Sequence, residues 1–313
     1  MSDIFDLMAP GFNVKMKTRN LNENKRYFNA WIPIILMSIC CSCASYKTQY
    51  APEANKWETD KPAPNLIVKH TMYLVGDAGN SSEPKIVPVL KYLKDTLSKE
   101  SANSSILFLG DNIYPKGLPP EVSKKRKVAE YRLHTQTDAL KKFKGYPVFT
   151  PGNHDWAHGI NGITLHLLMD HMAGILLSGN ILYRRNCCFP VFFGGYSDRL
   201  FHVLPQDKEN KKYQRLTKTL LAGVNANRNV IFVSGHEHKL QYLESGNHKF
   251  IVSGSGSKTS AVGMGKESLF SSSSVGFSTL SFFENGETWV TFYQVAEDGN
   301  RAIVIFQKKI NNS

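Results

Sequence analysis

The sequence predicts an α/β fold whose C-terminal part is mostly antiparallel β. Three observations predict it. Short apolar runs stop at glycine in Tyr73-Leu-Val-Gly76, Leu107-Phe-Leu-Gly110, Pro147-Val-Phe-Thr-Pro-Gly152 and Val230-Ile-Phe-Val-Ser-Gly235. Runs of this kind read as parallel strands buried on both faces. An amphipathic pattern separates the first two runs, giving a strand–helix–strand unit with a right-handed crossover. Beyond Leu240 helical spacing gives way to apolar runs separated by turns.

Taken in order, strand one is expected near Met72–Val75 and strand two at Ile106–Leu109. The helix between them shows Ile86, Val87, Leu90, Leu93 and Leu97 on one face. Pro84 and Pro88 fit only its first turn, where a missing N–H costs little. A Pro/Gly-rich loop from Pro115 to Pro120 leads into a basic helix from about Val122 to Phe143. Strand three is Pro147–Thr150. A further helix is expected over Asn210–Leu221, with Gly223 as its stop. Strand four then ends at Gly235. Phe250-Ile-Val, Phe277–Phe283, Trp289–Val295 and Ala302–Phe306 read as strands, with turns at Glu284-Asn-Gly-Glu287 and Asp298-Gly-Asn300. Ser271–Ser274 reads as a low-complexity loop, and Gly254 and Gly256 as turn glycines.

The 313 residues suffice for one sizeable α/β domain or two small ones. With 42% hydrophobic and 20% charged residues, wholesale disorder is excluded. A formal charge of +12 reads as a solvated basic surface or as attraction for anionic substrates and membrane surfaces. Basic residues are scattered rather than grouped with aromatics, so no nucleic-acid partner is expected. Cys40, Cys41 and Cys43 lack zinc-knuckle spacing. Cys187 and Cys188 are neighbours, which disfavours a disulfide between them and suits small buried side chains.

The first 43 residues read as an export segment. Lys15–Arg26 is basic, and Trp31–Cys40 is apolar but shorter than the roughly 20 residues that span a bilayer. Cys-Ser-Cys43-Ala-Ser resembles a bacterial lipoprotein signal, with Cys43 (alternatively Cys41) as the lipidated residue and Met1 or Met16 as the start. A plain secretory signal and a buried helix are the alternatives. The lipoprotein reading implies a protein exported to the bacterial cell envelope, lipid-anchored in the periplasm or at the outer membrane. Residues 44–66 carry little apolar periodicity and read as a flexible tether, leaving 67–313 as the folded domain.

Chemistry concentrates at the strand ends, where open α/β sheets place their sites. Asp77 follows strand one, Asp111 and Tyr114 follow strand two, Asn153, His154 and Asp155 follow strand three, and His236 and His238 follow strand four. Each alone reads as a cap, a turn residue or a surface histidine. Together, two carboxylates, an amide oxygen and two imidazoles suit iron, manganese or zinc rather than calcium. Two hydrolytic metals about 3.5–4 Å apart share an oxygen donor, and Asp111 is placed to bridge. Asp77, Asp111, Tyr114 and His238 would surround one ion, and Asp111, Asn153 and His236 the other.

Gly-Asp-Ala-Gly79, Gly-Asp-Asn-Ile-Tyr114, Gly-Asn-His-Asp155 and Gly-His-Glu-His238, in this order, resemble the calcineurin-like metallophosphoesterase superfamily. Tyr114, with Gly79 where many relatives have histidine, resembles its purple-acid-phosphatase branch. The resemblance covers roughly Thr71 to the C-terminus. It implies a four-layer α/β/β/α sandwich and a dinuclear centre of Fe(III) with Fe, Zn or Mn. It further implies hydrolysis of phosphate esters by attack of a metal-held hydroxide. His154 would bind the phosphate or protonate the leaving group, with Asp155 orienting its ring.

The chain departs from the family in one respect. The family's seventh ligand is a histidine in a Val-x-x-His-x-Pro-like segment, and none is evident between Asp155 and Asn210. His158, His166, His171 and His202 are candidates; Phe201-His202-Val-Leu-Pro205 comes nearest, and Ile163–Phe193 does not read like the family. A catalytically weak lipoprotein that keeps the fold as a binding or structural module is therefore the alternative to an enzyme.

Overall fold

The computed structural model describes residues 46–155, 191–193 and 231–310, and the expected strand–helix–strand unit is present in it. In chain order the described strands are β1 (Gln49–Tyr50), β2 (Val68–Val75), β3 (Ser104–Leu109), β4 (Tyr146–Thr150) and β5 (Val191–Phe193). They continue with β6 (Ile231–Ser234), β7 (Leu240–Ser245), β8 (His248–Ser253), β9 (Ser268–Ser272), β10 (Gly276–Phe283), β11 (Thr288–Val295) and β12 (Ala302–Lys309). Helix α1 (Pro88–Leu97) links β2 to β3, and α2 (Arg126–Ala139) links β3 to β4.

Two mixed sheets result, ordered β12-β11-β10-β2-β3-β4 and β1-β9-β7-β8-β6-β5. β2, β3 and β4 run parallel, with Leu74 opposite Leu107 and Leu107 opposite Val148. Parallel pairing in this register brings the carboxyl ends of the three strands, and therefore Asp77, Asp111 and Asn153, to one edge. In the second sheet β5, β6 and β8 are parallel, and β6 delivers His236 and His238.

The period-2 alternation of strand side chains divides the core into two layers. Leu74, Leu107, Leu109 and Val148 face the second sheet, where they meet Ile231, Val233, Tyr242 and Phe270. Tyr73, Val75, Ile106, Phe108 and Phe149 face the helices, against Leu90, Leu93, Leu97 and Leu133. β3 is buried at all six positions, which is why its sequence is an unbroken apolar run. Burying each leucine of α1 contributes about 1.5–3 kcal/mol, so this face rather than intrinsic propensity holds a ten-residue helix.

The described residues thus form α/β/β layers. A fourth layer, which the resemblance implies, is not among the described residues; the expected helix Asn210–Leu221 lies outside them, as do the 1–43 segment, Cys187 and Cys188, and the four candidate seventh-ligand histidines.

Several expectations need correction. α1 begins at Pro88 with Val87 as its N-cap, so Ile86 precedes the helix and stands 43% exposed. α2 is shorter at both ends than 122–143, because residues 119–125 form a turn and loop before it. Ser271 and Ser272 belong to β9: the low-complexity run is half strand, and Gln241 donates to Ser271 Oγ at 2.6 Å. Residues 44–66 are not a tether throughout. Gln49 and Tyr50 pair with Ser271 and Phe270, and the Tyr50 hydroxyl donates to the Ile305 carbonyl at 2.9 Å. Tyr50 also stacks on Trp57 at 5.9 Å between centroids. Two aromatics so placed contribute enough burial to order the strand around them.

Candidate metal centre

Each ligand-bearing loop begins where a strand runs out, and backbone bonds lace the loops to one another. Asp77 N donates to the Gly110 carbonyl at 3.0 Å, Gly79 N to the Asp111 carbonyl at 3.1 Å, and Tyr114 N to the Gly79 carbonyl at 3.1 Å. Two close approaches demand glycine. A Cβ on Gly152 would stand 2.3 Å from Asp111 Oδ1, and one on Gly254 would stand 2.9 Å from Asp77 Oδ2. Gly254 is therefore a wall of the site as well as a turn residue.

Among the described residues, left-handed backbone outside glycine occurs at Asp77 (φ 59°), Asp111 (φ 54°) and His236 (φ 64°). Asp and His tolerate this conformation better than most side chains, yet such residues still cost on the order of 1–3 kcal/mol each. Strain concentrated on three residues of one cluster is characteristic of a site whose geometry the surrounding fold enforces.

The side chains converge as two groups. In the first, the Tyr114 hydroxyl donates to Asp77 Oδ1 at 2.6 Å and lies 3.1 Å from Asp111 Oδ2 and 3.0 Å from His238 Nε2. His238 Nε2 is also 3.3 Å from Asp77 Oδ1. Ligand atoms of Asp77, Asp111 and His238 all lie within 4.8 Å of one another. Asp77 and Asp111 are 0% and 1% exposed. In the second group, His236 Nδ1 is 2.7 Å from Asn153 Oδ1 and 3.8 Å from Asp111 Oδ2. Asp111 thus borders both groups. His236 and His238, two residues apart, diverge in the turn, one toward each group.

The donor chemistry of the first group fits a cation. One phenol carries one proton, yet it faces two carboxylates and an imidazole. Two buried carboxylates this close repel, and burial is the largest effect on Asp77. Its pKa is pushed up to about 6, with Asp111 adding to the rise and the hydrogen bonds from His238 and Tyr114 opposing it. Burial, followed by the charges of Asp77 and Asp111, drives the Tyr114 phenol far above its ordinary range. A metal ion among these four atoms would reverse both shifts and take one lone pair from each.

Asp155 acts differently from the sequence expectation. Its carboxylate does not bond the His154 ring. It accepts from Asn112 N (3.0 Å), Asn112 Nδ2 (2.9 Å), Ile113 N (2.8 Å) and Gly152 N (2.8 Å), tying the second loop to the third. Burial lifts its pKa to about 7, against the pull of these donors. His154 is held instead through Nδ1 to the Pro115 carbonyl oxygen at 2.5 Å and through its backbone N–H to Asp111 Oδ1 at 3.0 Å. Its ring lies 4.4 Å from that of Tyr114, and Nε2 is 3.9 Å from Asp111 Oδ2.

Sequence reasoning missed three residues here. Asn112 is buried, donates to the Thr150 carbonyl at 2.8 Å and accepts through its backbone oxygen from Gln136 at 2.7 Å. Arg132 bonds the carbonyl oxygens of Ser81 and Tyr114, fixing the backbone that presents the phenol. Lys258 places Nζ 3.4 Å above the centre of the Tyr114 ring. Burial lowers its pKa, while Asp77 and Asp111 pull the other way. The Gly-Asp-Asn order and the lysine closing Ser-Gly-Ser-Gly-Ser-Lys258 were the available cues.

No protein-family model matches this sequence, and no curated protein matches it. Solved structures do. GAP50, the anchor in the inner membrane complex of Plasmodium, is 15% identical with a TM-score of 0.52, over 79% of this chain and 90% of that one. Purple acid phosphatase PPD1 from yellow lupin (Lupinus luteus) seeds is 10% identical with a TM-score of 0.49, over 77% of this chain and 53% of that one. PhoD is 11% identical with a TM-score of 0.46, over 80% of this chain and 73% of its own. The likeness to GAP50 establishes a shared two-sheet α/β fold. At 15% identity it establishes nothing about activity, and scores below 0.5 support no conclusion for this chain.

Proposed function

We propose that the protein is a metal-dependent phosphoesterase. The observation that carries this reading is the meeting of two buried carboxylates, Asp77 and Asp111, with Tyr114 and His238 around one point. Asp77, Asp111, Tyr114 and His238 would hold one ion, and Asp111, Asn153 and His236 a second. Fe(III) with Fe, Zn or Mn suits the phenolate, imidazole and carboxylate donors. When bound, such ions activate water and neutralise the charge that builds on phosphate oxygens. The chain's own residues supply the rest. Pro115 engages Nδ1 of His154, and Nε2, 3.9 Å from Asp111 Oδ2, would hold the phosphate or pass a proton to the leaving oxygen. Asp155 and Arg132 keep the loops in register.

A second reading keeps the fold as an anchor or binding module without turnover. It is favoured by the Asn153 group, which among the described residues offers only Asn153 and His236 beside Asp111, and GAP50, which shares the fold, is an anchor in the inner membrane complex of Plasmodium. Metal content together with hydrolysis of an aryl phosphate separates the two. Two metals per chain with turnover that Asp111→Ala abolishes supports the enzyme; one or none, without turnover, supports the module.

We also propose that the protein is exported to the bacterial cell envelope on a lipid attached at Cys43, a reading supported by the basic stretch, the apolar stretch and the cysteine that follows them. Incorporation of labelled palmitate in a bacterial host, lost in Cys43→Ser, tests it. Incorporation unchanged in that variant would transfer the role to Cys41, and no incorporation into the wild type would remove it.

A further inference from the structure

We propose that Lys258 is a further anion-binding residue of this centre, beside His154, and that it selects a terminal, dianionic phosphate over a phosphodiester. The inference rests on the metal-centre reading and adds a substrate class to it. Lys258 is fixed by the loop that carries it. Gly256 N donates to the Gly76 carbonyl at 3.0 Å, Ser257 Oγ bonds the Asp77 carbonyl, and Ser260 N donates to the His238 carbonyl at 2.7 Å. Both flanks of the lysine are therefore tied to backbone beside two of the metal-ligand residues, and its ammonium rests on the ring of a third.

Among the described residues, that ring face is the one contact recorded for the ammonium, and no carboxylate stands within ion-pair distance of it. An aromatic face attracts a cation but accepts no conventional hydrogen bond, so the N–H donors of Nζ remain for a ligand. A lysine kept merely as counter-charge to Asp77 and Asp111 would instead close an ion pair with one of them. The rings of His154 and His238 lie 4.4 and 6.2 Å from the Tyr114 ring on which the ammonium rests, so an anion that reaches these histidines comes near Lys258 as well.

The preference follows from counting oxygens. A terminal phosphate has three non-bridging oxygens and close to two negative charges at neutral pH; a diester has two such oxygens and one charge. A fixed ammonium beside the centre is a further donor that only the terminal phosphate has an oxygen left to meet.

The test is calorimetric binding of inorganic phosphate and of dimethyl phosphate to metal-loaded wild type, Lys258→Met and Lys258→Arg, with metal content measured on the same samples. Methionine keeps the apolar stem over the Tyr114 ring and removes the charge. Phosphate should bind Lys258→Met about ten- to a hundredfold more weakly, the range of a charge-assisted hydrogen bond, while dimethyl phosphate changes by less than about threefold. Lys258→Arg should stay close to wild type for both. Equal phosphate affinity in wild type and Lys258→Met at equal metal content would overturn the lysine's role and leave the metal centre standing. Wild type that takes up no metal, yet whose phosphate affinity still falls in Lys258→Met, would keep the lysine's role and remove the metal reading.

Discussion

The two halves of the centre are built to different standards. Around Tyr114, four donor atoms from three loops already touch, two of them on carboxylates with almost no exposure. Around Asn153, one hydrogen-bonded pair, Asn153 with His236, stands beside Asp111, and the His236 side chain is 34% exposed. The first half carries the electrostatic cost of buried like charges, and the second carries little. A cation therefore has far more to relieve at the first position, which should fill first and hold its ion more tightly.

The largest expected effect strikes both halves at once. Asp111→Ala should lower aryl phosphate turnover by roughly 10³-fold or more, given that a single stabilising donor is already worth about 10²–10³. Metal analysis should show both positions depleted; a variant that kept either ion would break the assignment of Asp111 as shared. Next comes Asp155→Asn, which replaces an acceptor of four N–H donors by an amide with donors of its own. Urea unfolding above about pH 8, where the carboxylate is ionised, should show a loss on the order of 3 kcal/mol, since hydrogen bonds to a charged group contribute about 1.5–3 kcal/mol each. A loss below about 0.5 kcal/mol would mean that the clamp between the second and third loops is dispensable.

Tyr114→Phe sharpens the contrast between the halves. Removing the hydroxyl should weaken the first ion about tenfold or more, measured by competition with a metallochromic chelator, and leave the second nearly unchanged. Proton competition belongs to the same half. The Asp77 pKa is raised by burial to about 6, so in the metal-free protein its protonated form is favoured below that pH. Its contribution to stability is full below about pH 4 and is lost as pH rises through about 6. A cation prefers the ionised form, so affinity at the first position should rise over that window by up to about tenfold per pH unit. Affinity independent of pH between 4 and 6 would contradict it. Asn153→Ala should have the smallest effect on stability, under about 1 kcal/mol by thermal unfolding, because its side chain is only partly buried. It should nonetheless empty the second position selectively.

What could be read from sequence follows the same division. Strand ends were legible because each buried parallel strand is an apolar run cut by glycine, and the ligands sit directly after the cut. The roles within the cluster were less so. Asp155 adjoins His154 in sequence, yet its carboxylate turns to Asn112, Ile113 and Gly152. Adjacent residues in a turn need not point together. Tyr50 and Trp57 looked like part of a polar linker because their partners, Phe270 and Phe306, are supplied from the far end of the chain. Lys258 was hidden for the same reason: its meaning lies in the ring of Tyr114, which only the stacking of the second sheet on the first brings beneath it.

Anomalous diffraction from crystals soaked in Mn²⁺ tests the central claim most directly. The account predicts one strong peak among Asp77 Oδ1, Asp111 Oδ2, Tyr114 Oη and His238 Nε2, and a weaker one between Asp111, Asn153 and His236. Full occupancy elsewhere on the protein with no peak among the first four atoms would contradict it.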